Sequence, residues 1–343
     1  MRKIVLIVVF GFLTFGLISF SKSYFTPIYI EIPENWPKPV YDFKKNPLTE
    51  EGFQLGRQLF YDPILSKDNT ISCASCHLQA TGFTHVDHEL SHGIEGKIGT
   101  RNSLTLQNLA WNKHFMWDGG VNHLDVQALA PITSEVEMNE TLENVVKKLQ
   151  NSEKYVGQFE KAFGTKKITG QLTLKAISQF IVSLTTTNSK YDKVKRNEEK
   201  FTEMEQKGYT VFQEKCASCH KEPLLTNNEF KNNGLSMDPD LKDLGRMKIT
   251  QNSKDSLLFK VPTLRNIEFT FPYMHDGRFK TLTEVIKHYN SGIHKSKTLS
   301  KELQQPMNLS DNERTELVAF LKTLTDKTFL FNSKYAYPKE NNF

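Results

Sequence analysis

Only four of the 343 residues are cysteine, and only three are tryptophan. All four cysteines fall within two identical pentapeptides, Cys73-Ala-Ser-Cys76-His77 and Cys216-Ala-Ser-Cys219-His220. No spare thiol remains for a structural disulfide or a lipid-modified cysteine. Long apolar runs are as scarce: the stretch from Ile4 to Phe20 has no second counterpart. Charge of one sign is not gathered anywhere. The formal net charge of +5 includes Arg2 and Lys3 at the extreme N-terminus, and basic residues such as Lys193, Lys195, Arg196 and Lys200 lie among acidic ones. No nucleic-acid reading motif arises from that pattern. It leaves a solvated surface, or a docking face for an acidic electron-donor protein. Strand-like alternation is also rare, and helical periodicity is frequent, so the chain reads as mostly α with long loops.

Cys-x-x-Cys-His is the attachment pattern of c-type haem. The two thiols form thioethers with the haem vinyl groups, and the adjacent imidazole reaches the iron. A thioredoxin-like reading requires neither the histidine nor a second copy. A structural zinc site built from Cys73, Cys76, Cys216 and Cys219 has suitable ligand types, but it leaves His77 and His220 unexplained. The pattern therefore implies two covalent haems, one in each half of a chain long enough for two cores. Arg2 and Lys3, the apolar run and Ser21-Lys22-Ser23 make residues 1–23 a signal peptide or an N-terminal anchor. Either form places the rest outside the cytoplasm, in the periplasm, with membrane association only if the leader stays attached.

Leu142 to Phe163 and Leu172 to Val194 read as long amphipathic helices. Thr281-x-x-Glu284 and Ser310-x-x-Glu313 are capping boxes that open two more. An ungapped internal repeat runs through both halves. The segment from Thr105 to Gly120 aligns with Thr263 to Arg278, pairing Asn108 with Asn266, Met116 with Met274 and Asp118-Gly119 with Asp276-Gly277. The same spacing sets Tyr289 opposite Pro131. A phenolate oxygen can ligate ferric iron, whereas proline has no side-chain donor. The repeat thus predicts an open first haem and a capped second one.

With these motifs the chain resembles the bacterial dihaem cytochrome c peroxidase family, which includes the MauG-type enzymes. The matching blocks are Gly56-Arg-Gln-Leu-Phe-Tyr-Asp, Ala80-Thr-Gly-Phe, Arg101-Asn102, Trp117-Asp-Gly, Gln127 with Glu137-Met138, and Pro262-Thr-Leu-Arg-Asn through Pro272-Tyr-Met-His-Asp-Gly. The resemblance implies an N-terminal peroxidatic domain over residues 44–200 and a C-terminal electron-transfer domain over 201–330. Hydrogen peroxide would be reduced at the first, with electrons from a small cytochrome c or cupredoxin, and a homodimer is a common family form. It also implies roles for particular residues. Gln127 and Glu137 line the peroxide pocket, with Glu135 as a nearby competitor, and Trp117 lies between the haems. Asn102, Thr270 and Pro272 match an interdomain calcium site, whose oxygen ligands suit a hard cation. His92 matches a removable ligand of the first haem, in a loop that also holds His85 and His88. Tyr289 stands where most of the family's peroxidases place a methionine, which is the MauG-like arrangement. His288, Met274 and Met237 are rival ligands, and His275 pairs with Trp117 in the repeat.

Overall fold

The computed structural model describes residues 25–338; the segment read as a signal peptide or anchor lies outside them. The helices in chain order are α1 (Glu50–Tyr61), α2 (Cys73–Cys76), α3 (Leu129–Thr133), α4 (Leu142–Gln150), α5 (Glu153–Phe163) and α6 (Gly170–Ser183). They continue as α7 (Lys190–Lys195), α8 (Glu203–Lys215), α9 (Met247–Thr250), α10 (Leu282–Ser291), α11 (Asp311–Lys322) and α12 (Lys327–Leu330). The two strands, β1 (Phe230–Lys231) and β2 (Phe259–Lys260), pair antiparallel. Loops and short 3₁₀ turns carry much of the rest, as a mostly helical chain with long loops requires.

Each half is organised around one helix crossing. In the first, α1 packs on α6 so closely that a methyl group on Gly56 would lie 2.0 Å from the Ala176 carbonyl oxygen. In the second, α8 packs on α11, with Gly208 in the same relation to the Glu316 carbonyl at 1.9 Å. Phe53, Phe60, Phe83 and Phe180 fill the first core. Phe212, Phe320, Leu321 and Leu324 fill the second. Trp36 from the N-terminal side and Phe329, Leu330 and Tyr335 from the far end of the chain also belong to the first core.

The two long helices expected from periodicity are each interrupted. Asn151 closes α4 with ψ −2, and Ser152 adopts an extended conformation that starts α5. Between α6 and α7 the chain runs extended, because side chains satisfy its backbone donors. Thr186 N–H donates to Asn108 Oδ1 at 3.0 Å, and Thr187 and Asn188 N–H donate to Asp326 Oδ2 at 3.2 and 3.0 Å. A capping box between Ser189 and Asp192 then restarts the helix. The predicted caps at Thr281/Glu284 and Ser310/Glu313 both form.

The repeat is structural as well as sequential. Asn108 and Asn266 both sit at positive φ, 57 and 55. Their N–H groups donate to Leu184 O and Leu324 O at 2.8 and 3.0 Å. Phe115 bridges Val121, and Tyr273 bridges Phe279, at matching places. Direct contacts join the halves: Arg101 Nε donates to Asp243 at 2.6 Å, and Gln107 Nε2 to Arg265 O at 2.6 Å. Arg265 itself is 1% exposed and grips Asp192 with two bonds of 2.8 and 2.9 Å.

Candidate active site

Two cavities, of about 310 Å³ and 210 Å³, flank the junction between the halves. Cys73, Cys76 and His77 line the first; Cys216, Cys219 and His220 line the second. The cysteine pairs thus serve separate cavities and form no common zinc site. Burial also pushes the Cys73 and Cys216 thiols up to about 12.

Each histidine is set up as an iron ligand. His77 Nδ1 lies 2.8 Å from Phe83 O, and His220 Nδ1 lies 3.2 Å from Leu225 O. A carbonyl oxygen can only accept, so Nδ1 carries the proton and Nε2 keeps its lone pair. Burial lowers both imidazoles, His220 to about 4, which keeps them neutral and able to coordinate. The apolar surroundings, including Leu106, Phe115 and Ile177 in the first cavity and Leu264, Ile286 and Leu317 in the second, suit a macrocycle attached through paired thioethers. The residues present fit covalent haem in both places.

The compact segment that contains α3 supplies one wall of the first cavity. Gln127, Pro131 and Glu137 all line it. Met138 N–H donates to Pro131 O at 3.2 Å and Glu140 N–H to Ile132 O at 2.8 Å, folding the segment back on itself. Glu137 is half-buried; burial raises its carboxyl above the ordinary range, against a hydrogen bond from Ser134. Glu135 is exposed and outside the cavity. Gln127 Nε2 donates to Met116 Sδ at 3.7 Å.

Tyr289, on α10, lines the second cavity, and Pro131 lines the first. Burial pushes its phenol up to about 12, with a hydrogen bond from Asn233 pulling the other way. His288 donates through Nε2 to Asn233 O at 3.0 Å and does not line the cavity. Met237 is 48% exposed and also lies outside it. Met274 does line it, with Sδ accepting from Asn233 Nδ2 at 3.4 Å, as its twin Met116 accepts from Gln127. His275 stacks on Phe259, ring centroids 3.8 Å apart.

Trp117 lines both cavities, anchored by Nε1 donating to Asn102 O at 2.9 Å. Asn102 also lines both, and Thr270 and Pro272 line the second. Asn102 Nδ2 donates to Glu89 O, which leaves Oδ1 as its oxygen for a cation. Among the described residues no cluster of three histidine, cysteine or acidic side chains could hold a metal ion. The His92 ring packs against His88 with centroids 4.0 Å apart, near His85, and is absent from the lining of the first cavity. Sequence reasoning passed over Asn233, which serves Tyr289, His288 and Met274 together. It also passed over Lys260, whose only signal was a lone lysine in an apolar stretch before Pro262.

A family model for di-haem cytochrome c peroxidase matches residues 50–200, and one for cytochrome c matches residues 205–325. The methylamine utilization protein MauG of Methylorubrum extorquens is 36% identical over 304 residues, covering 85% of this chain and 82% of that protein. The chain belongs to the di-haem cytochrome c peroxidase family. Within that family, the cytochrome c551 peroxidase of Nitrosomonas europaea is 34% identical over 310 residues, covering 89% of each chain. A crystal structure of a MauG-like protein associated with microbial copper homeostasis superposes with a TM-score of 0.80 at 31% identity, covering 90% of this chain and 98% of that one. Membership makes the protein an oxidoreductase with two c-type haems in two cytochrome c-type domains. No helix among the described residues is long and apolar enough to cross a membrane.

Proposed function

We propose that the protein is an exported peroxidase that reduces hydrogen peroxide to water in the cavity of residues 44–200. Electrons would pass through residues 201–330 from a small periplasmic donor, a cytochrome c or a cupredoxin. The observation that carries this reading is the inequivalence of two cavities built from one repeat. Pro131 lines the first and offers no ligand, where Tyr289 lines the second and offers an oxygen.

When bound, the haems supply the redox chemistry and the reducing equivalents. The protein supplies proton transfer and orientation. Glu137 takes the proton from one peroxide oxygen and returns it to the departing one, and a carboxyl lifted by burial is better suited to hold that proton between the two acts. Gln127 steadies the developing charge without titrating. Trp117 bridges the space between the two centres, and Tyr289 joins His220 in holding the second. Asn102 with the backbone oxygens of Thr270 and Pro272 would hold one calcium ion. If the His92 ring stays against His88, the first centre would be open without reductive activation; if it moves to that centre, activation would be needed.

A second reading is peroxide-dependent oxidation of a partner protein in the MauG manner, and Tyr289 favours it. A hard anionic oxygen stabilises ferric iron, whereas a methionine ligand raises the potential. Turnover of hydrogen peroxide by the loaded full-length chain, with reduced cytochrome c as donor, tests the first reading. Peroxide loss coupled to cytochrome oxidation supports it. Peroxide consumption without donor oxidation moves the assignment to the second, and two centres indifferent to peroxide overturn both.

A further inference from the structure

Lys260 occupies β2, paired with Phe230, and its N–H donates to Trp117 O at 2.7 Å. The side chain is 5% exposed. Among the described residues that line both cavities, Lys260 alone carries a charge; Asn102, Trp117 and Pro262 are typical of the others. Two other cations of the junction are paired, the buried Arg265 with Asp192 and the half-buried Arg101 with Asp118 and Asp243. Among the described residues no carboxylate pairs with Lys260. A buried ammonium without a counter-charge costs several kcal/mol, so such groups are retained where an anion meets them. Burial alone lowers this one to about 8, and an adjacent carboxylate would restore it.

The proposed function puts a haem in each of the two cavities that Lys260 lines, and every haem brings two propionate carboxylates. Resting on that reading, we propose that Lys260 is a shared counter-ion of the two haems, a positioning residue that raises both their potentials. A fixed positive charge between two redox centres favours the added electron at either one. Removing it should therefore shift both centres together and in the same direction. A lysine that only fills space would move neither.

The test is spectroelectrochemical titration of both haems in the full-length loaded protein, with haem content measured by pyridine haemochrome. Lys260→Met keeps the length of the side chain and removes the charge. It should retain two haems and lower both midpoints by about 59 mV, a tenfold change in each one-electron reduction equilibrium. Lys260→Arg should leave both near wild type. Lys260→Gln gives the same charge comparison if the methionine variant does not fold. The proposal is overturned if a charge-free variant with two haems shifts one midpoint or none, or if Lys260→Arg shifts both as far as Lys260→Met. Wild-type haem content reports on the two-haem assignment separately from these shifts.

Discussion

Replacing Glu137 with glutamine removes one titrating group and almost nothing else. The amide is isosteric, and the backbone contact in which Ile94 N–H donates to Glu137 O at 2.7 Å does not involve the side chain. Positioned proton transfer accelerates such reactions by about 10²–10⁴, which corresponds to about 3–5 kcal/mol of barrier at 1.36 kcal/mol per tenfold. Peroxide turnover in Glu137→Gln should fall by that factor while both haems remain bound. Glu135→Gln, at an exposed position, should match wild type. The pH profile gives a second check. Burial raises the Glu137 carboxyl above the ordinary 4.5, so the base form needed to accept a proton is lost as pH falls through that raised value. The acid limb of kcat/KM should therefore lie above pH 4.5 in wild type and vanish in the variant. Activity within threefold of wild type, or an unchanged acid limb, would refute the assignment.

Tyr289→Phe deletes the oxygen proposed as a ligand of the second centre, and electron paramagnetic resonance of the ferric protein should lose a low-spin species while the first centre keeps its signal. Gly93→Ala would bring a methyl group to 2.2 Å from Val136 O and 2.5 Å from Glu137 Cα. The resulting overpacking costs about 1–3 kcal/mol, and displacement of Glu137 should depress peroxide turnover more than haem content. Arg265→Met strands the buried Asp192 carboxylate, and urea unfolding should register a loss of about 3–5 kcal/mol.

The sequence made both haem sites legible because attachment chemistry dictates residue type and spacing locally. The repeat carried further: Pro131 and Tyr289, which its spacing pairs, line the first and second cavities respectively. Helix boundaries were less readable. Periodicity runs straight through Asn151 and Ser152, and through the threonines after Leu184, since apolar spacing says nothing about which side chain takes a backbone donor. Asn108 and Asp326 decide that second break, and both are distant in sequence. The turning of His288 away from the second cavity depends on the same kind of distant contact, here with Asn233 O. Lys260 escaped notice because a single lysine in a strand is ordinary until its burial and lack of a partner are known.

The first core is completed by residues that follow the second half. Tyr61 Oη donates to Tyr335 O across a separation of 274 residues, Tyr335 Oη donates to Ser183 O, and the Phe329 ring lies 5.8 Å from that of Phe83. Phe83 supplies the carbonyl that orients His77. A chain is synthesised from its N-terminus, so the wall behind the first histidine stays unsealed until nearly the whole polypeptide exists. Contacts so remote in sequence also close late, because loop entropy must be met first. The backing of the first attachment histidine is therefore among the contacts expected to form last.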